Sequence, residues 1–101
     1  MWTRKAVALL LLALVGCTGR PAPDATGAEI YEQVCARCHD DDLSGGVGPA
    51  LGPGSNSAEQ DDEFLRLTIA DGRGRMPSFR NTLSEEQIER VITFVRSEQE
   101  R

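Results

Sequence analysis

Apolar and polar positions divide the chain into five stretches. Ala6 to Val15 form an unbroken apolar run of ten. Thr18 to Ala25 hold Gly19, Pro21 and Pro23 and show no apolar period, which reads as a flexible tether. From Thr26 the spacing turns helical. Ile30 and Val34 recur at four residues, Gly27 and Tyr31 do the same, and Thr26 and Glu29 have capping-box spacing, so a first helix is expected to run into Cys35. Asp40 to Gly54 carry five Gly and two Pro and read as a loop. A second helix is expected from Ser57, boxed with Gln60, to about Ala70, with Gly72 as its stop. The third is the clearest. Ser84 and Gln87 form the box, Leu83 and Ile88 the hydrophobic staple, and Ile88, Val91, Ile92 and Val95 fall on one face. No strand of useful length emerges, so the expected fold is all-α.

The apolar run at the start has a separate meaning. It follows Arg4 and Lys5 and ends at Gly16-Cys17, the layout of an export signal. Ten apolar residues fall well short of the ~20 that span a bilayer as a helix. Leu14-Val15-Gly16-Cys17 resembles the lipobox of bacterial lipoproteins. That resemblance implies residues 1–16 as a lipoprotein signal peptide, a lipid on Cys17, 17–25 as a lipidated tether, and 26–101 as the folded domain. It implies export, with the domain anchored on the periplasmic or other extracytoplasmic face of a membrane.

The 101 residues allow one small domain, of a size that often needs a metal, a staple or a cofactor to complete its core. Formal net charge is −5, and −7 once residues 1–16 are removed, which gives no support to nucleic-acid binding. Lys5 is the only Lys and Trp2 the only Trp, so a chain starting at Cys17 has neither.

Cys35-Ala36-Arg37-Cys38-His39 carries the chemistry. Cys-x-x-Cys-His is the attachment signature of c-type haem. Two thiols about one helical turn apart can add to the two vinyl groups of one porphyrin, and the adjacent His then ligates the iron. Three other readings compete. Structural zinc wants four ligands, a redox dithiol wants a βαβ context, and an exported protein can form a disulfide. A sixth iron ligand follows by elimination. Beyond the signal there is no second His and no Lys, and Met76 is the only Met, in a Gly-rich loop before Pro77.

Residues 26–98 resemble a class I cytochrome c. The resemblance rests on Gly27-x-x-x-Tyr31-x-x-x-Cys35-x-x-Cys38-His39, on Gly48-Pro49-x-Leu51, on Gly72-Arg73-Gly74-Arg75-Met76-Pro77, and on the closing amphipathic helix. It implies three main helices around one covalently bound haem c, held by Cys35, Cys38, His39 and Met76. It implies that the first and last helices cross with Gly27 and Tyr31 near Val91 and Phe94, and that the Pro49 carbonyl bonds His39 Nδ1. Relatives often bond a haem propionate with a Trp; here Arg73, Arg75 or backbone groups are left for that work. The implied function is single-electron transfer between respiratory or photosynthetic partners such as an oxidase, reductase, reaction centre or dehydrogenase, without enzymatic activity of its own. A haem-based small-ligand sensor and an accessory subunit of a larger oxidoreductase complex are the alternatives. Arg37, Arg73, Arg75 and Arg80 outline an expected docking face on an otherwise acidic body.

Overall fold

A computed structural model describes residues 19–101. The expected export signal and Cys17 lie outside the described residues. The described elements, in order, are α1 (Gly27–Ile30), a π-helical segment (Tyr31–Cys35), α2 (Ala36–His39), a 3-10 turn (Asn56–Glu59), α3 (Asp62–Asp71) and α4 (Glu85–Gln99). The first three follow one another without a break, so three main helices pack around one core and the fold is all-α. Among the described residues there is no strand, only a single bridge between Arg73 and Met76. No described helix is long and apolar enough to cross a membrane.

The first capping box forms as its spacing predicts. Glu29 N–H donates to Thr26 Oγ1 at 3.1 Å and Thr26 N–H donates to Glu29 Oε1 at 2.9 Å. These bonds hold the Glu29 carboxyl below its ordinary range. The helix that follows is not uniformly α. The Ala36 N–H reaches back to the Tyr31 carbonyl, one residue further than in an α-helix, which widens the turn just ahead of the two thiols. The run stops after His39 because Asp40 turns to φ 70°, ψ 155°.

α4 forms the other half of the core. Ser84 and Gln87 exchange bonds of 3.1 and 2.8 Å, and Leu83, Ile88, Val91, Ile92 and Val95 are buried as their period predicts. α1 and α4 cross at Gly27. A Cβ there would sit 2.9 Å from both the Arg90 carbonyl carbon and Phe94 Cβ, so only glycine permits this approach. One turn on, the Tyr31 and Phe94 rings lie 5.4 Å apart at 45°. The crossing implied by the family resemblance is therefore the one observed.

Two local expectations need correction. The second helix does not begin at Ser57. Gln60 is extended (φ −87°, ψ 153°), and α3 starts after Asp61, whose carboxylate accepts from Phe64 N–H at 2.8 Å. The Ser57 hydroxyl meets Ser55 Oγ and Gln99 Nε2 instead, so it is not spent on a helix cap. The stretch read as a tether over 18–25 is held from Pro21 onward. Gln87 Nε2 donates to the Ala22 carbonyl at 3.0 Å, Arg90 donates to the carbonyls of Pro23 (2.9 Å) and Ala25, and Pro21 and Ala25 are buried. Side chains of α4 satisfy this strap's backbone, which a search for apolar period does not detect.

Candidate cofactor site

Between the helical run, α3, α4 and the two loops lies one cavity of about 980 Å³, at the upper end of the range for bound organic cofactors. Its apolar walls come from Val34, from Phe64, Leu65 and Ile69 on α3, and from Val91 and Val95 on α4. Cys35, Cys38, His39, Pro49, Arg73, Arg75 and Met76 all line it. The candidate ligands, up to 41 positions apart in the chain from Cys35 to Met76, are thus brought to one space.

The two cysteines are free thiols, half-buried and three residues apart. Burial pushes the Cys35 thiol up to about 11, and the neighbouring Cys38 adds to the shift. Cys35 is therefore a thiol rather than a thiolate at neutral pH unless it reacts or binds. No three His, Cys, Asp or Glu side chains among the described residues are grouped to hold a metal ion, which gives the zinc reading no support. With no strand among the described residues, they offer no βαβ setting for a redox dithiol either.

His39 is 8% exposed and its position is tightly fixed. Its Nδ1 lies 2.8 Å from the Pro49 carbonyl oxygen. A carbonyl only accepts, so Nδ1 carries the hydrogen and Nε2 keeps its lone pair for a metal. The loop clamps the same residue from two more sides. Gly45 N–H donates to the His39 carbonyl (2.9 Å) and Gly48 N–H to the Cys38 carbonyl (2.7 Å). A Cβ on Gly48 would come within 2.9 Å of His39 Cε1 and 3.0 Å of Nδ1, so glycine is what lets the loop lie flat against the ring.

Met76 is set by the turn at the end of α3. Gly72 and Gly74 adopt φ of 79° and 57°, and Arg73 and Met76 exchange backbone bonds of 3.1 and 2.9 Å. A Cβ on Gly72 would meet the Met76 carbonyl oxygen at 2.6 Å. The turn then folds back on α3 through Phe79 N–H to the Ile69 carbonyl (3.0 Å).

The arginines separate into different roles. The Arg73 guanidinium lies 5.0 Å over the Phe64 ring, a cation–π contact at the cavity wall. Arg75 and Arg37 are exposed at the cavity. Arg80 pairs with the Asp71 carboxylate, so the expected arginine face has one member whose charge is already met. Sequence reasoning missed a polar wall made by Ser55, Asn56, Ser57 and Gln60. It also missed Leu43, buried at 3% in a loop and held at φ 63°, whose carbonyl accepts from Leu51 and Gly52.

This donor set fits a covalently held haem. Two thiols stand a helical turn apart, a buried imidazole presents its free nitrogen, a thioether lines the same cavity, and α3 and α4 supply apolar walls.

Comparison with known proteins agrees. Residues 22–95 match the family model described as cytochrome c oxidase, cbb3-type, subunit III. Cytochrome c-551 of Bacillus subtilis is 38% identical over 56 residues, covering 55% of this chain and 48% of that protein. Cytochrome c550 of Pseudomonas aeruginosa is 33% identical over 76 residues, covering 70% of this chain and 52% of that one. The crystal structure of cytochrome cL from Methylophaga aminisulfidivorans superposes with a TM-score of 0.65 at 31% identity, covering 70% of this chain and 49% of that chain. The chain thus spans about half the length of each of these relatives. With thiols, imidazole and thioether on one cavity and the family model matched from the strap into α4, the chain belongs to the c-type cytochromes, electron carriers whose cofactor is covalently bound haem c.

Proposed function

We propose that the protein is a membrane-tethered monohaem electron carrier. Cys35 and Cys38 would carry the thioether links to the haem, and His39 Nε2 and the Met76 sulfur would hold its iron. The observation that carries this reading is His39, buried on the cavity wall with its Nδ1–H spent on Pro49 and its other nitrogen free. Haem c supplies a reversible one-electron couple when bound. The residues around it do the rest. Pro49 orients the imidazole and raises its basicity. The apolar side chains of α3 and α4 exclude water, which together with thioether ligation raises the potential. Arg73 and Arg75 bring positive charge to the same cavity. With His39 and Met76 both holding the iron, substrate would have no place to coordinate, so the protein would carry electrons and catalyse nothing alone.

Its partners are redox proteins: an oxidase, reductase or reaction centre on one side, a dehydrogenase or reductase on the other. Lipid on Cys17 holds the domain at a membrane outside the cytoplasm. From Cys17 to the fixed strap at Pro21 the chain reaches at most about 14 Å, so the domain stays close to the bilayer. Acyl chains buried at ~0.8 kcal/mol per CH₂ make such an anchor firm.

The test is denaturation in acid-acetone. Wild-type haem stays on the polypeptide, and Cys35→Ser with Cys38→Ser yields no holoprotein. Release of free haem from wild type refutes the attachment. For the anchor, Cys17→Ser moves the protein from the membrane to the soluble fraction, and a wild type already soluble after export refutes it.

A further inference from the structure

The polar wall at residues 55–57 ends a hydrogen-bond relay that starts on a cation. Arg96, near the end of α4, donates from Nη1 to Gln99 Oε1 at 2.8 Å. A guanidinium only donates, so the Gln99 amide is fixed with its oxygen toward Arg96. The Gln99 nitrogen faces the other way and donates to the Leu51 carbonyl (2.9 Å) and to Ser57 Oγ (3.2 Å). Both of its hydrogens are then used. Ser57 Oγ accepts from Gln99 and lies 2.9 Å from Ser55 Oγ. Either serine can donate to the other, since Ser57 Oγ has two lone pairs and Gln99 takes only one; with Ser57 donating, its hydrogen passes to Ser55. The Ser55 hydroxyl receives it and keeps its own hydrogen to give. Ser55 lines the cofactor cavity, and no protein acceptor among the described residues takes that hydrogen.

The wall is held rigidly for a surface segment. Arg96 also donates to the carbonyls of Ser57 (3.2 Å) and Gln60, and its Nε to Asp62 Oδ1 at 2.8 Å. A relay that starts on a cation and finishes on a donor facing a cavity suits an anion there. A haem is apolar except at its two propionate carboxylates. The chain has no Trp after Trp2 to serve them.

We propose that the relay from Arg96 through Gln99 and Ser57 to Ser55 ends on one propionate carboxylate of the bound haem, in the place of the missing tryptophan. This rests on the haem reading of the cavity. Ser55 is the contacting group, and Gln99 and Arg96 are positioning residues. The charged groups around this wall are Arg96 and Asp62 behind it, Glu59 and Asp61 on the flanking turn, and Arg73 and Arg75 from the Met76 loop.

The experiment uses ferrous holoprotein, which is diamagnetic, after covalent haem has been confirmed on the denatured chain. Absence of covalent haem overturns the cofactor reading and is separate from the outcomes that follow. In proton NMR the Ser55 hydroxyl is expected to show a nuclear Overhauser contact to a propionate methylene. Ser55→Ala removes a donor that offsets the carboxylate charge, which favours the ferric form. At fixed ambient potential the ferric-to-ferrous ratio rises about threefold, ~28 mV at 59 mV per decade for one electron. Gln99→Leu, which does not line the cavity, shifts the ratio the same way, and Ser55→Thr keeps the wild-type value. Propionate contacts to Arg73 and Arg75 alone, or a Ser55→Ala holoprotein with an unchanged ratio, overturn the proposal. Should Ser55→Ala fail to assemble, the wild-type NMR contact decides.

Discussion

Gly27→Ala isolates the packing that brings the haem-attachment helix against α4. The glycine lies where the α1 backbone meets Arg90 and Phe94. An added methyl would fall 2.9 Å from the Arg90 carbonyl carbon and from Phe94 Cβ, and closer still to the Arg90 carbonyl oxygen. The closest obstacle is backbone in the middle of a 15-residue helix, so no rotamer change relieves it. The helices must part, on the order of 1 Å, and a gap of that size forfeits a quarter to a half of the dispersion energy between facing atoms. Overpacking of this kind costs about 1–3 kcal/mol, and an unyielding backbone puts the cost near the top. The better helix propensity of alanine returns up to ~1 kcal/mol. The net is about 2 kcal/mol, against roughly 4–12 kcal/mol for a domain of this size. Thermal unfolding of holoprotein, followed by far-ultraviolet circular dichroism and Soret absorbance, is expected to move down by ~8–16 °C. Adding Phe94→Ala should not restore it, because the Arg90 carbonyl remains. Wild-type stability in Gly27→Ala, or rescue by Phe94→Ala, would refute the reasoning.

Met76→Ala is expected to keep the covalent haem, open the sixth position to added ligands and lower the potential; an unchanged ferric spectrum would show that another group ligates. Gly48→Ala drives a methyl against the His39 ring and off the Pro49 carbonyl, and should weaken that ligand about tenfold. Displacement of His39 by added imidazole measures this, and an unchanged displacement curve rejects the clamp. Acid stability tests the paired carboxylates. Glu29, bonded to Thr26, and Glu89, bonded to Arg66, both have folded values below the ordinary 4.5. Their contribution is therefore present above that value and is lost as pH falls through the lower folded values. The melting temperature should hold from pH 7 to about 5 and fall below about 4, less steeply in Glu29→Gln with Glu89→Gln. Identical acid slopes in wild type and the double variant would exclude these two groups.

What was legible in the sequence was local or forced by scarcity. Cys35, Cys38 and His39 lie within five residues, and one helical turn sets their geometry whatever surrounds it. Met76 stood out as the proposed second ligand because few other candidates remain beyond residues 1–16. The boxes at Thr26 and Ser84 close within four residues, and the face of α4 repeats over two turns, so each formed where its spacing placed it. The Ser57–Gln60 pair has the same spacing and does not cap, because the Ser57 hydroxyl is engaged by Gln99, 42 residues away. No window along the chain contains both. The same cause hid the strap from Pro21 to Ala25, whose carbonyls are met by Gln87 and Arg90 more than 60 residues on. It also hid the positive φ of Asp40 and Leu43, which neither residue prefers and which the bonds to the Asp40 and Leu43 carbonyls maintain. A polar side chain has several partners within reach of its spacing, and folding selects among them by which others arrive nearby. The chemistry at Cys35–His39 was thus written locally, while the polar wall that faces the cofactor exists only because α4 delivers Arg96 and Gln99 to the back of it.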